Sequence, residues 1–215
     1  MTEKTAQKIE FDRACLKEGE RYIVGVDEVG RGPLAGPVVC CAVIMPLDDE
    51  LIIEGVDDSK KLSEKKRNAL DKQIRESAVD YCICEISPEE IDRINILAAT
   101  KLCMKRCVEG LKIKPDAVII DAVDIDVNIR KVITVKGDIK SYSVGAASIL
   151  AKVYRDGLMV EYDREYPIYS FAKNKGYGTK DHIKALKEVG ACPIHRKTFI
   201  KNFSVKEESE QLSLL

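Results

Sequence analysis

The 215-residue chain predicts an α/β domain built on a mixed sheet, with a small helical C-terminal lobe. Three observations lead there. Apolar, β-branched runs recur at Tyr22–Asp27, Pro37–Met45 and Tyr81–Ile86. Two further runs, Ala117–Ile120 and Val132–Val135, alternate with helical stretches. Beyond Pro167 the pattern changes to short helices rich in basic residues. Early strands followed by helix-and-strand alternation are the signature of a mixed α/β sheet.

Thr2–Glu18 reads as a polar helix leading into the domain. Tyr22–Asp27 ends at charge and then Gly30, which marks a buried strand with a break behind it. Pro37–Met45 is bounded by the Gly32-Pro33 turn and by Pro46. Pro88-Glu89-Glu90 opens a short helix, since proline suits a first helical position. From Asn95 to Leu111 the apolar residues Leu97, Leu102, Met104, Val108 and Leu111 fall at helical spacing. Ser141–Asp163 reads as a long helix rich in Ala and Leu. The expected organisation is an N-terminal helix over 1–20, a core over 21–165, a basic lobe over 166–205 and a tail over 206–215.

Composition narrows the function. A third of the residues are charged, yet the formal net charge is −1, which excludes a polycation that coats nucleic acid indiscriminately. It leaves room for local basic surface beside an acidic site. Between Phe171 and Lys201, eight basic residues (Lys173, Lys175, Lys180, Lys184, Lys187, Arg196, Lys197, Lys201) stand against Asp181 and Glu188, a local excess of six positive charges. No run approaches the ~20 apolar residues of a membrane span, and the mixed-charge first twenty residues lack a secretory signal, so a cytoplasmic location is expected. The eight cysteines lie mostly within apolar runs, and no pair has zinc-knuckle spacing; they read as small buried hydrophobes.

Chemistry concentrates at strand ends. Asp27 and Glu28, Asp121, and Asp138 just past the last strand stand where adjacent strands converge. Carboxylates gathered in one cleft repel unless a cation is present, and an all-oxygen set suits Mg²⁺ or Mn²⁺ over zinc. A pair of such ions can activate water against a phosphodiester. Taken singly, each aspartate reads more readily as a turn or cap residue, and spacing alone does not overturn that. Strand alternation also sets Asp27 and Glu28 on opposite faces, so either the strand bends near Gly30 or Glu28 contributes through its carbonyl.

The run from Gly25 to Val38, Gly-Val-Asp-Glu-Val-Gly-Arg-Gly-Pro-Leu-Ala-Gly-Pro-Val, closely resembles the signature of the ribonuclease HII family. So do Asp58-Ser59-Lys60-Lys61-Leu62, Lys136-Gly137-Asp138, the run Ala146–Val153 and Lys175-Gly176-Tyr177-Gly178-Thr179, in the expected order. Ala122 and Gly145 depart from the usual pattern by small-for-small changes. The resemblance implies an RNase H-like fold with a five-stranded mixed sheet flanked by helices. It implies an endonuclease acting on RNA/DNA hybrids and on duplex DNA containing ribonucleotides, with Asp27, Glu28, Asp121 and Asp138 as catalytic metal ligands for two Mn²⁺ or Mg²⁺ ions.

It further implies that Gly30, Arg31 and Gly32 sense a 2′-OH through their backbone, which the two flanking glycines, having no Cβ, let approach the sugar, and that Tyr177 touches the same 2′-OH and stacks on the following sugar. Ser59 and Lys60 are expected at phosphate, whereas Lys65 onward reads as a solvated helix face. His182 and His195 are expected as caps or phosphate contacts.

The end of the chain, Gln211-Leu212-Ser213-Leu214-Leu215, resembles a motif by which bacterial replication proteins dock on the sliding clamp; an inert tail is the alternative. Nothing in the sequence demands more than a monomer. Two rivals stand beside this reading. Ribonuclease HIII has similar carboxylates, an additional N-terminal domain and lysine in place of Arg31; a binding module would keep the fold without the chemistry.

Overall fold

The computed structural model describes residues 1–121, 123–134 and 136–203. The tail motif Gln211–Leu215, with Ala122 and Val135, lies outside the described residues. The polar helix α1 (Glu3–Ala14) leads into strands β1 (Ile23–Val29) and β2 (Val38–Ile44). Helix α2 (Glu64–Ser77) then precedes β3 (Asp80–Ile86), and helices α3 (Pro88–Ile94) and α4 (Ile96–Glu109) lead to β4 (Ala117–Asp121) and β5 (Arg130–Thr134). A short helix α5 (Gly137–Lys140) turns into α6 (Tyr142–Glu165), and α7 (Phe171–Asn174), α8 (Lys180–Val189) and α9 (Lys197–Ile200) follow.

One five-stranded sheet has the order β3-β2-β1-β4-β5. The β3-β2-β1 side is antiparallel, and β1, β4 and β5 run parallel. This is the mixed sheet with the RNase H-like topology that the sequence implied. Both faces of β2 are buried, so all seven of its residues are covered and its sequence is a continuous apolar run.

On one face, Val24, Val26, Cys40 and Ala42 pack with Cys103, Met104 and Cys107 of α4. On the other, Val39, Cys41 and Val43 pack with Ile9 of α1, Leu70 and Ile74 of α2, and Ala146, Ala147 and Leu150 of α6. All eight cysteines are free, and four of them, Cys40, Cys41, Cys103 and Cys107, are fully buried, as their apolar surroundings predicted. Phe171, Ala185, Leu186 and Ile194 form a separate small core with Ala35 and Met159.

Helix α6 crosses β1 at very short range. A Cβ on Gly25 would stand 2.3 Å from the backbone of Ser143 and Val144, so only glycine lets strand and helix meet there. The start of α6 is capped twice. Ser141 Oγ accepts the N–H of Val144 (3.1 Å), and the buried Asp12 accepts the N–H of Ser143 (2.8 Å). Burial pushes the Asp12 carboxyl up to about 6, although the serine hydrogen bonds oppose it.

No helix among the described residues is long and apolar enough to cross a membrane.

Asp12 generates a pH-dependent stability with a defined sign. Its folded-state pKa of about 6 lies above the ordinary carboxylate value of 3.8, so between those values the folded chain binds more protons than the unfolded chain. Stability from this group is therefore present at low pH and declines as pH rises through about 6. Urea titrations of the wild type and Asp12→Asn should diverge by on the order of 3 kcal/mol between pH 4 and 6.5 and run parallel above it. A constant difference across that window removes Asp12 as the source.

Candidate active site

The parallel pairing of β1 with β4 ends at Val26–Ile120, whereas β1 continues with β2 through Asp27, Glu28 and Val29. Among the described residues the end of β1 therefore has one free edge, and Asp121 closes β4 beside it. The register with β2 is unbroken from Gly25 to Val29, so β1 carries no bulge here. The open edge, rather than a bulge, lets neighbouring residues on opposite faces of β1 approach one cleft.

The four expected carboxylates come within electrostatic reach of one another. Burial raises Asp27 well above its ordinary range; Glu28 and Asp138 add to the rise, and a hydrogen bond from Ser148 opposes it. Burial also raises Glu28, against the opposing guanidinium of Arg31, whose Nη1 lies 3.2 Å away, while Asp121 pushes it higher. Asp138 is raised by burial first, then by Asp58 and Asp121, with Lys60 opposing. Asp121 Oδ1 accepts the backbone N–H of Lys136 (2.9 Å), and Lys136 itself sits in the left-handed region at φ 60°.

Among the described residues, no three His, Cys, Asp or Glu side chains are already drawn into a cage for an ion. Asp27 is turned to Ser148, Glu28 to Arg31 and Asp121 to the Lys136 amide. The donor set nonetheless fits hard divalent cations, because every donor is a carboxylate oxygen and three of the four are held above their ordinary range by burial and by each other.

Of the residues expected at phosphate, Lys60 is exposed and acts electrostatically on Glu28 and Asp138. Ser59 is not placed that way. It is 3% exposed, and its hydroxyl bonds Ser148 Oγ at 2.8 Å, so it stands behind Asp27 through Ser148. The histidines also depart from expectation: His182 and His195 are buried against each other in the C-terminal lobe and cannot meet phosphate. In the basic segment Lys173, Lys180, Lys184, Lys187, Lys197 and Lys201 are exposed, whereas Arg196 is fully buried and contributes nothing to the surface.

Gly30 is buried with φ 92°, and a Cβ there would strike Arg155 Nε at 2.2 Å. Arg31 is exposed, and Tyr177, also exposed, sets its ring against Gly32, 3.7 Å from where a Cβ would be.

The turn is held from beneath by two arginines that sequence reasoning missed. Arg155 donates from Nε to Pro37 O (2.9 Å), from Nη1 to Lys175 O (2.9 Å) and from Nη2 to Ala35 O (3.0 Å). Arg196 donates to Gly36 O (3.0 Å), Arg31 O (2.9 Å) and Gly30 O (2.5 Å). Both are fully buried, and burial pulls Arg155 down to about 10 and Arg196 to about 9. The position of Arg196 directly after His195, in a segment already counted as a basic patch, gave no sign of this. Asp58 was likewise passed over. It is buried near Asp138, and its Oδ1 accepts the Lys60 N–H (2.9 Å). The buried Lys8 completes this flank, donating to the Asp138 carbonyl (3.0 Å) and to Asp57 (2.9 Å).

Acidic side chains at the ends of the central parallel strands, an exposed lysine beside them and a C-terminal segment of exposed lysines are the chemistry of a hydrolase of nucleic-acid phosphodiesters. The family model for Ribonuclease HII matches residues 24–202. A Ruminiclostridium cellulolyticum protein named Ribonuclease HII is 50% identical over 202 residues, covering 94% of this chain and 78% of that protein. Among solved structures, the ribonuclease H2 of Pyrococcus horikoshii OT3 superposes with a TM-score of 0.71 at 27% identity, covering 83% of this chain and 93% of that one. The RNase HII in the PCNA:RNase HII complex from Archaeoglobus fulgidus gives 0.73 at 28% identity, covering 86% and 97%. The chain belongs to the ribonuclease HII family and is a hydrolytic ribonuclease of the RNase H type.

Arg196→Met should leave the carbonyls of Gly30, Arg31 and Gly36 without their donor. Unsatisfied buried acceptors cost ~1–3 kcal/mol each, partly recovered by relaxation, so a loss on the order of 3 kcal/mol in urea unfolding is expected. A change below about 0.5 kcal/mol would mean that the turn holds itself.

Proposed function

We propose that this chain hydrolyses the RNA strand of RNA/DNA hybrids and cuts 5′ to ribonucleotides embedded in duplex DNA. The products are a 3′-OH and a 5′-phosphate, and the role is removal of ribonucleotides in DNA replication and repair. The observation that carries this reading is the contact of Tyr177 with Gly32 beside the carboxylate cluster, since it sets a sugar-sensing surface next to acidic chemistry.

Asp27, Glu28, Asp121 and Asp138 are the residues that would hold two divalent ions, Mn²⁺ or Mg²⁺. When bound, these supply an activated water and shield the leaving oxygen. The rest of the work falls to the chain's own groups. The exposed lysines of α8 and its neighbours attract the phosphate backbone in a salt-dependent way. Lys60 offsets the negative potential around Glu28 and Asp138 and is free to meet a phosphate. Ser59 bonds Ser148, which bonds Asp27, so a buried hydroxyl pair orients the first carboxylate.

The turn discriminates because it is preformed. Arg196 fixes the carbonyls of Gly30 and Arg31 from below, so a 2′-OH meets a backbone that needs no further ordering. Tyr177 adds a hydroxyl for the same group and a ring for the adjoining sugar.

Asp121→Asn tests the whole reading. Metal chemistry contributes several kcal/mol to such a transition state, so cleavage of a duplex with one ribonucleotide should fall at least about a thousandfold in Mg²⁺ and in Mn²⁺, with the thermal midpoint essentially unchanged. Retained cleavage would end it; retained binding is expected.

The tail Gln211–Leu215 is proposed to dock on the sliding clamp, a reading supported by its sequence and by the archaeal RNase HII solved with PCNA. Deleting these five residues should abolish clamp binding by surface plasmon resonance and leave hybrid cleavage intact; undiminished binding assigns docking elsewhere.

A further inference from the structure

The C-terminal lobe contains a buried polar chain that the chemistry of cleavage does not use. His182 Nδ1 lies 2.9 Å from the carbonyl oxygen of Tyr177, and His182 Nε2 lies 2.9 Å from His195 Nε2. His195 Nδ1 receives the backbone N–H of Cys192 at 3.0 Å and stands 3.1 Å from its Sγ. Both rings are almost completely buried, among Tyr169, Phe171 and Cys192.

His195 Nδ1 also lies 3.3 Å from the Cys192 carbonyl oxygen, a longer contact than the 3.0 Å to the Cys192 N–H, and the shorter bonds select one arrangement of protons. A carbonyl only accepts, so His182 Nδ1 must carry hydrogen, and a neutral His182 then offers a lone pair at Nε2. From the other end, the Cys192 N–H only donates, and in the shorter of its two backbone contacts His195 Nδ1 accepts it, which puts the His195 hydrogen at Nε2, where the 2.9 Å contact to the His182 lone pair requires one. The two ends agree on the central bond: His195 Nε2–H donates to His182 Nε2. A further proton on either ring would aim two N–H groups at each other across 2.9 Å. Burial acts in the same direction, lowering both histidines.

The ends of this chain are the two halves of the sensor. One end is the backbone of Tyr177. The other is His195, which bridges to Ala35 in the strand-like segment after the turn, with Arg196 next to it reaching Gly30 and Arg31. Direct backbone bonds run between the same segments, from Leu34 N to Gly176 O (2.8 Å) and from Gly36 N to Ile194 O (2.9 Å).

We propose that His182 and His195 form a neutral, proton-ordered relay that sets Tyr177 against the Gly30-Arg31-Gly32 turn, making both histidines positioning residues for recognition of the ribonucleotide. The proposal rests on the reading of Tyr177 as part of the sensor. Neither histidine touches substrate; each acts through the carbonyl of Tyr177 or the backbone beside Ala35.

Nitrogen-15 NMR of the full chain with labelled histidine reads the protons directly at pH 7.5. The expected result is two neutral rings of opposite tautomer, one protonated at Nδ1 and the other at Nε2. Matching tautomers, or a charged ring, would overturn the relay. This measurement needs no variant, so it decides even where a substitution fails to fold.

Single-turnover cleavage then tests the consequence. On a duplex with one ribonucleotide, His182→Phe should slow cutting about tenfold, as loss of one buried hydrogen bond allows, and His182→Asn should recover most of it, because its amide N–H falls near the place of Nδ1–H. Tyr177→Phe should also be slow, and the double variant His182→Phe/Tyr177→Phe should be no more than about twofold slower than Tyr177→Phe alone, since groups acting as one unit do not add. A slow Tyr177→Phe with a wild-type rate in His182→Phe removes the relay and keeps the tyrosine. A wild-type rate in Tyr177→Phe removes the tyrosine from the sensor, and the tautomers still report whether the relay exists. Fully additive losses assign His182 a structural role alone and overturn the proposal.

Discussion

Everything at the site depends on the close crossing of α6 over β1 at Gly25. The backbone of Ser143 and Val144 occupies the volume a side chain would need, so strand and helix are fixed to each other at a single point. From there the 24 residues of α6 run for about 36 Å, and the helix carries a different support at each level. Its first turn is tied to α1 through Asp12. Ser148 reaches Asp27 and Ser59. Arg155 reaches Ala35, Pro37 and Lys175, and Met159 enters the small core of the C-terminal lobe. A shift of this helix along β1 would move the carboxylate, the turn and the lobe together.

The polar interior follows one rule at three places. Two buried guanidiniums direct their hydrogen bonds to main-chain carbonyls, a buried lysine spans Asp57 and the Asp138 carbonyl, and two buried imidazoles share an ordered row of protons. Buried polar groups of this kind are costly unless fully bonded, and once bonded they specify a single geometry more sharply than apolar packing does. Each set lies directly under a segment that faces the cleft. Loop backbone that would otherwise be mobile is thereby ordered before any substrate arrives.

Much of this was legible in the sequence, and the limits have physical causes. The strands declared themselves by burial. β2 is covered on both faces and reads as an unbroken apolar run, and β3 begins at Asp80, one residue before the expected Tyr81. The long helix was expected from Ser141, which turns out to be its cap. The run from Lys65 gave only a charged face, because most of α2 is exposed and just Leu70, Asp71 and Ile74 are buried. Leu97 fits the helical spacing of α4 and is nevertheless 48% exposed, since its position faces away from the sheet. The cleft was legible because strand ends and glycine-flanked motifs are local features. Arg155, Arg196, Asp58 and the histidine pair were not, because in a sequence a buried polar side chain looks the same as a surface one. Only the backbone groups they meet, up to 166 positions away for Arg196 and Gly30, distinguish the two.

The geometric difficulty posed by Asp27 and Glu28 resolves without a bulge, and its resolution explains the location of the cleft. Adjacent residues on a regular strand face opposite sides of the sheet, and the unbroken register of β1 with β2 keeps them so. Had β4 continued to pair with β1, the sheet would have separated the two carboxylates. Among the described residues the pairing ends at Val26–Ile120, and Asp27, Glu28 and Val29 pair with β2. Beside that end, burial raises both carboxyls, Asp121 of the neighbouring strand adds to the rise of Glu28, and Glu28 and Asp138 add to that of Asp27. The end of β4 is therefore as much a determinant of the site as the acidic residues themselves.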